Sequence, residues 1–75
     1  MKRWGVRYTS NDGRVNWVSQ GAGSSEKVEM AYLYTKEGLA ENKAKYFKEH
    51  PMWYSDVQVV PFVVFLDVGY SGDIK

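Results

Sequence analysis

The chain has no cysteine, two prolines and a single histidine among its 75 residues. Without cysteine, neither a disulfide nor a thiolate zinc site can staple the fold. One histidine with scattered carboxylates offers no convincing metal-ligand set. A long apolar run is also missing: the longest, Val59 to Leu66, falls far short of the ~20 residues that span a bilayer. Met1-Lys2-Arg3 is basic, but Trp4-Gly5-Val6-Arg7 interrupts any apolar signal-peptide region. A cytoplasmic protein with no membrane contact is the expectation. Nor is there an excess of one charge: the net value is +1, too small for a general polyanion binder.

What is present is apolar and aromatic. Apolar residues make up 44% of the chain, with three Trp, six Tyr and three Phe, which argues against disorder. A chain this short buries only ~60% of the surface its unfolded form exposes. It must therefore fold by packing, alone or against a copy of itself. Charge is unevenly spread. Lys2, Arg3, Arg7 and Arg14 face only Asp12 at the start, Lys and Glu cancel in the middle, and Asp56, Asp67 and Asp73 outnumber Lys75 at the end.

Trp4, Val6 and Tyr8 alternate with Arg3, Gly5, Arg7 and Thr9, the period of a half-buried strand. Ser10-Asn11-Asp12-Gly13 is a turn signal, and Val15-Asn16-Trp17-Val18-Ser19 reads as the return strand. A two-residue Asp12-Gly13 turn would set Tyr8 opposite Trp17 and place both apolar sets on one face, so an even-length loop is expected. Gly21 to Ser25 reads as a flexible connection. Gly21-Ala22-Gly23 has the spacing of a phosphate loop, but Glu26 stands where a third glycine is needed and no Gly-Lys-Ser/Thr follows. Met30 to Thr35 is rich in strand formers and suggests a third strand; the alternative is one long helix from Glu26, capped by Ser24 or Ser25. Gly38, and Thr35 as an N-cap, favour the break.

From Lys36 to His50, Leu39, Ala40, Ala44, Tyr46 and Phe47 form one helical stripe with the Lys43 stem. His50-Pro51 stops the helix. The expected fold is α+β, an antiparallel sheet of about four strands (β-β-β-α-β) with one helix on one face. Residues 1–68 would form a single domain and residues 69–75 a flexible tail.

The last strand, Val57-Gln58-Val59-Val60-Pro61-Phe62-Val63-Val64-Phe65-Leu66-Asp67, is apolar on both faces. Gln58 and Asp67 have opposite parity, so both can point outward only across a break in alternation. A bulge at Pro61 supplies one: Val57, Val59, Phe62, Val64 and Leu66 then face the helix, and Val63 and Phe65 the other side. Without it, Phe62, Val64 and Leu66 are left over. Each such side chain is worth roughly 1.5–3 kcal/mol if buried. The hairpin or Tyr70 covers them, or a partner or second copy does.

Several residues raise chemical questions. His50, Ser55 and Asp56 lie too close in sequence around a helix stop to suggest a catalytic triad, and His50 better suits the helix dipole end. No enzymatic activity and no cofactor are expected. Pro51-Met52-Trp53-Tyr54 groups side chains favoured at interfaces, although the first expectation for Trp53 is that it folds back as a lid over the helix end. Arg3, Arg7 and Arg14, near aromatics, are candidates for steering an acidic partner or for contacting a nucleotide or single-stranded nucleic acid.

Trp4-Gly5-Val6-Arg7-Tyr8, the Trp17-Val18-Ser19 return, Ala31 to Thr35 leading into Leu39-Ala40, and the closing Val57-to-Phe62 strand together resemble small proteins encoded in early regions of tailed-phage genomes. The likeness is a pattern of element types with no active-site signature. It implies a protein that binds and inhibits a host protein, or one that sequesters a nucleotide. The leading expectation is a non-catalytic binder of a host protein, with homodimer formation open, that docks through Met52, Trp53, Tyr54, Val63 and Phe65. The alternative is a homo-oligomeric binder of a nucleotide or single-stranded nucleic acid through Arg3, Arg7 and Arg14.

Overall fold

A computed structural model describes residues 1–19 and 23–64. It has the expected α+β architecture. The elements are β1 (Lys2–Ser10), β2 (Val15–Val18), β3 (Ser24–Ser25), a 3-10 turn at Val28–Met30, α1 (Glu37–Lys48) and β4 (Tyr54–Val63). They form a four-stranded antiparallel sheet in the order β3-β2-β1-β4, which leaves β4 on an edge. Phe65, Leu66, Tyr70 and the tail over 69–75 lie outside the described residues.

The β1–β2 hairpin corrects the expected even-length loop. Tyr8 pairs with Asn16, and Trp17 with Arg7. Gly13 donates to the Ser10 carbonyl at 2.9 Å and Ser10 donates to the Arg14 carbonyl at 2.8 Å, so Asn11-Asp12-Gly13 form a three-residue loop. Gly13 at φ +88° supplies the left-handed residue that such a loop requires. The Asp12 carboxylate accepts from the Ser10 hydroxyl and from the Arg14 N–H, and these bonds, with the Arg14 charge, hold its pKa below the usual carboxylate value. An even-length loop would suit a hairpin with one apolar face, whereas this hairpin has apolar side chains on both. Val18, not Trp17, lies beside Val6 on the helix side, and Trp17 turns to the other side.

The third strand is also displaced. Ser24 and Ser25 pair with Val18 and Trp17, while residues 31–34 join the sheet only through isolated bridges, Ala31 to Ser19 and Tyr34 to Trp4. The reason is the shortness of β2. It pairs with β1 only at Arg7, Tyr8 and Thr9, so the unpaired flank of Trp4 is open to a segment arriving from beyond the end of β2. No helix starts at Glu26.

The helix sets Ala40, Ala44 and Phe47 against Val6, Tyr8 and Val18. Phe47 stacks on Tyr8 at 4.6 Å and meets Tyr54 edge-on at 4.6 Å. The two alanines allow close approach, so the buried stripe is narrower than expected: Leu39 and Tyr46 are exposed, at 48% and 53%. Lys36, not Thr35, is the N-cap, and no side chain bonds the helix start. Glu37 in the first turn and Lys45 and Lys48 in the last suit the helix dipole.

The expected bulge exists, but not at Pro61. Pairing runs unbroken from Lys2–Val63 to Arg7–Gln58, then shifts so that Thr9 meets Ser55. Asp56 and Val57 therefore stand opposite Tyr8 alone, with Asp56 at φ +50°. Tyr54 and Val57, of opposite parity, both pack on the core as a result. Pro61 needs no bulge. Trp4 directs its N–H and C=O to Tyr34, so Trp4–Pro61 is a non-hydrogen-bonded pair and the proline nitrogen faces the edge that no other described strand pairs, where no donor is required.

Candidate functional site

With pairing continuous through Pro61, Gln58, Val60, Phe62 and Val64 share the sheet face that α1 does not cover. They stand beside Arg3, Gly5 and Arg7 of β1 and Trp17 of β2. This face is not a bare apolar surface. Gly5 has no side chain to lift its neighbours: an added Cβ would meet Phe62 at 3.0 Å, Leu33 at 3.5 Å and Trp17 at 3.6 Å. Trp17 and Phe62 rings tilt together at 5.5 Å, and Trp17 is only 9% exposed. A second, smaller apolar cluster therefore sits behind the sheet, with Phe62, Val60 and Val64 half-buried.

Polar groups surround that cluster in an ordered chain. The Arg7 guanidinium lies 5.7 Å from the Trp17 ring centroid, a cation–π contact worth ~0.5–2 kcal/mol according to its desolvation. Arg7 donates to the Gln58 Oε1, and Gln58 Nε2 donates to Asp56 Oδ1 at 3.0 Å. Asp56 occupies the bulge, so the backbone irregularity that admits Tyr54 to the core also sets the end of this chain. Arg3 lies on the same face, half-buried. Among the described residues, neither Arg3 nor Arg7 forms an ion pair; the ion pairs present join Arg14 to Asp12 and Glu26, at 3.6 and 3.9 Å.

The sequence-derived candidates thus separate. Arg3 and Arg7 come together on one surface, whereas Arg14 is engaged at the hairpin loop. Met52 and Trp53 are exposed, at 80% and 56%, so Trp53 does not close over the helix end. Tyr54 is half-buried against Phe47 and Tyr8. Val63 is 65% exposed and has the parity of the helix side, which corrects the expected flip. The helix is too short to shelter it: twelve helical residues span ~18 Å, against ~33 Å for the ten of β4. Phe65 lies outside the described residues.

His50, Ser55 and Asp56 each have other partners. His50 Nδ1 lies 2.8 Å from the Tyr46 carbonyl, which can only accept, so Nδ1 carries the proton. Ser55 Oγ donates to the Thr9 carbonyl at 3.5 Å. An open groove of about 420 Å³ lies among Ser19, Glu29, Met30, Ala31, Tyr32 and Leu33; its one charged lining group is an acid, which sets it apart from the arginine surface. Among the described residues no helix is long and apolar enough to cross a membrane.

Sequence reasoning missed Trp17, Gln58 and Asp56 as members of this surface. Two signals were available: glycine midway between two same-face arginines, and the parity conflict between Tyr54 and Val57. The chain has no significant match among protein-family models, curated proteins or solved structures.

Proposed function

We propose that the chain is a non-catalytic binding protein that docks on another protein through the sheet face opposite α1. The observation that carries the reading is the Arg7 guanidinium held over Trp17 beside Phe62. The covered Trp17 ring positions a cation that no acid of the described residues neutralises, and the half-buried Phe62 lies beside it. Aromatic and arginine side chains dominate the binding energy of protein interfaces, and charge complementarity steers their encounter. The partner we propose is a bacterial host protein that the chain inhibits, as the resemblance to early tailed-phage proteins implies.

Nucleic acid is disfavoured. Stacking on bases needs open ring faces, whereas Trp17 is almost wholly covered. Immobilised protein exposed to bacterial lysate, with the recovered material analysed for protein and for extracted nucleotide, separates the two. A stoichiometric protein band, lost when Arg3→Glu and Arg7→Glu are combined in a chain that keeps its circular dichroism spectrum, is the expected result. Released nucleotide in place of that band overturns the reading.

A further inference from the structure

The arrangement around Arg7 is more specific than a basic patch. Its guanidinium is fixed from below by the Trp17 ring and from the side by Gln58, which Asp56 in turn orients. An arginine carries five N–H donors in a rigid fork, and the bond to Gln58 is the only side-chain hydrogen bond it makes among the described residues. Ordering a free arginine costs side-chain entropy; here that cost is largely met within the fold. Asp56 is at φ +50°, a conformation unfavourable for a residue with a side chain, though Asp and Asn tolerate it best. The bulge thus spends backbone strain on an aspartate whose Oδ1 holds the Gln58 amide.

We infer that Arg7 is a preorganised carboxylate receptor and that the surface takes an extended acidic peptide segment of the partner. This rests on the proposed docking face and names what binds there. Arg3 and Arg7 lie on one face of β1 with Gly5 between them, about 13 Å apart along the strand. An extended segment spans that distance with acids at positions i and i+4, which leaves residue i+2 over the Phe62 and Val60 side chains. A fork-shaped donor pair suits a carboxylate's two oxygens. Asp56 and Gln58 are positioning residues and need not touch the ligand.

The probe is the capped peptide Ac-Glu-Ser-Leu-Ser-Glu-amide, titrated into isotope-labelled full-length protein and followed by NMR at the Arg7 Nε–H, the Gln58 side-chain amide, the Trp17 indole and the backbone amides. Saturable shifts at these groups are expected, absent when Gln replaces Glu in the peptide. Arg7→Lys, which keeps the charge but loses the fork, should raise Kd roughly fivefold or more. Asp56→Gly keeps the left-handed backbone but loses the acceptor, and should raise Kd about threefold; Asp56→Asn restores both features and should bind like the parent.

Equal binding by Arg7→Lys, with Val60 and Phe62 amides still moving, overturns this inference and leaves the docking face standing. Shifts confined to the helix overturn both. Oligothymidylate or inorganic phosphate moving the Arg7 signal at lower concentration than the peptide makes the ligand a phosphate and overturns the assignment. Asp67→Asn with Asp73→Asn moving the Arg7 signal without any peptide makes the occupant this chain's own residues 65–75, with the same consequence. Shifts that depend on protein concentration alone make it a second copy, which also overturns the assignment.

Discussion

The two faces of the sheet solve different problems with adjacent residues of the same strands. On the helix side, Val6, Val18, Ala40 and Ala44 are at most 2% exposed, and the rings of Tyr8, Phe47 and Tyr54 contact one another. On the other side one ring, Trp17, is buried, and the rest of the surface is half-open and arginine-rich. Beneath the helix the first face is closed: Tyr8 places its hydroxyl 2.8 Å from Ser24, and among the described residues no charged residue is buried. The second ends in a guanidinium with donors to spare. Burial is concentrated on one face, and half-exposed cations on the other, which is where we place partner recognition.

Substitutions can break that division. Phe47→Ala should be the most damaging, at ~3–5 kcal/mol from lost contacts and cavity. That is a large part of the ~5–15 kcal/mol that holds a small domain together, and it should appear as a collapse of the urea midpoint. On the open face, Gly5→Val should cost ~1–3 kcal/mol, because its branches overpack the Phe62, Leu33 and Trp17 contacts. Its distinguishing mark is a displaced Trp17 indole N–H resonance with the helical signal retained.

Asp56→Gly sharpens the contrast from the opposite direction. Relief of the positive φ should raise stability by up to about 1 kcal/mol while it weakens peptide binding, so the two quantities move apart in denaturation and titration. Trp53→Ala, at an exposed position, should change stability by less than ~0.5 kcal/mol, and a parallel loss of partner capture would extend the surface to the Met52–Trp53 loop. The smallest effect belongs to Asp12. Its folded-state pKa is depressed by the Ser10 hydroxyl bond, the Arg14 N–H bond and the Arg14 charge. Its contribution is therefore present above the ordinary value of 3.8 and lost as pH falls through the lower folded value. Urea midpoints measured across that acid range should flatten slightly in Asp12→Asn.

Much of the architecture was legible because period and punctuation agreed. The alternation of Trp4, Val6 and Tyr8, the i, i+4, i+7 set of Ala40, Ala44 and Phe47, and the His50-Pro51 stop each point to one element. The register was not legible, because Tyr8 and Trp17 look equally suited to one core. Only Gly5, as a recess able to receive Trp17 on the far side, distinguishes the three-residue loop from the two-residue one. A proline within a sheet marks a bulge or an edge; Pro61 alone does not say which, and on the edge strand β4 it needs no bulge. Asp56 gave the weaker signal because aspartate adopts left-handed backbone less readily than glycine does. The surface itself was half legible. Alternation along β1 shows Arg3 and Arg7 as a same-face pair, but with an even-length loop it sets their aromatic companion, Trp17, on the helix side.

The claim that the open sheet face is the working surface is tested most directly by site-specific photo-cross-linking in a bacterial lysate, with a benzophenone side chain placed at Val60 and, separately, at Glu41 on the exposed face of the helix. The account predicts one adduct of defined mass from position 60, suppressed by the acidic peptide, and none from position 41. An adduct from position 41 with none from position 60 would contradict it.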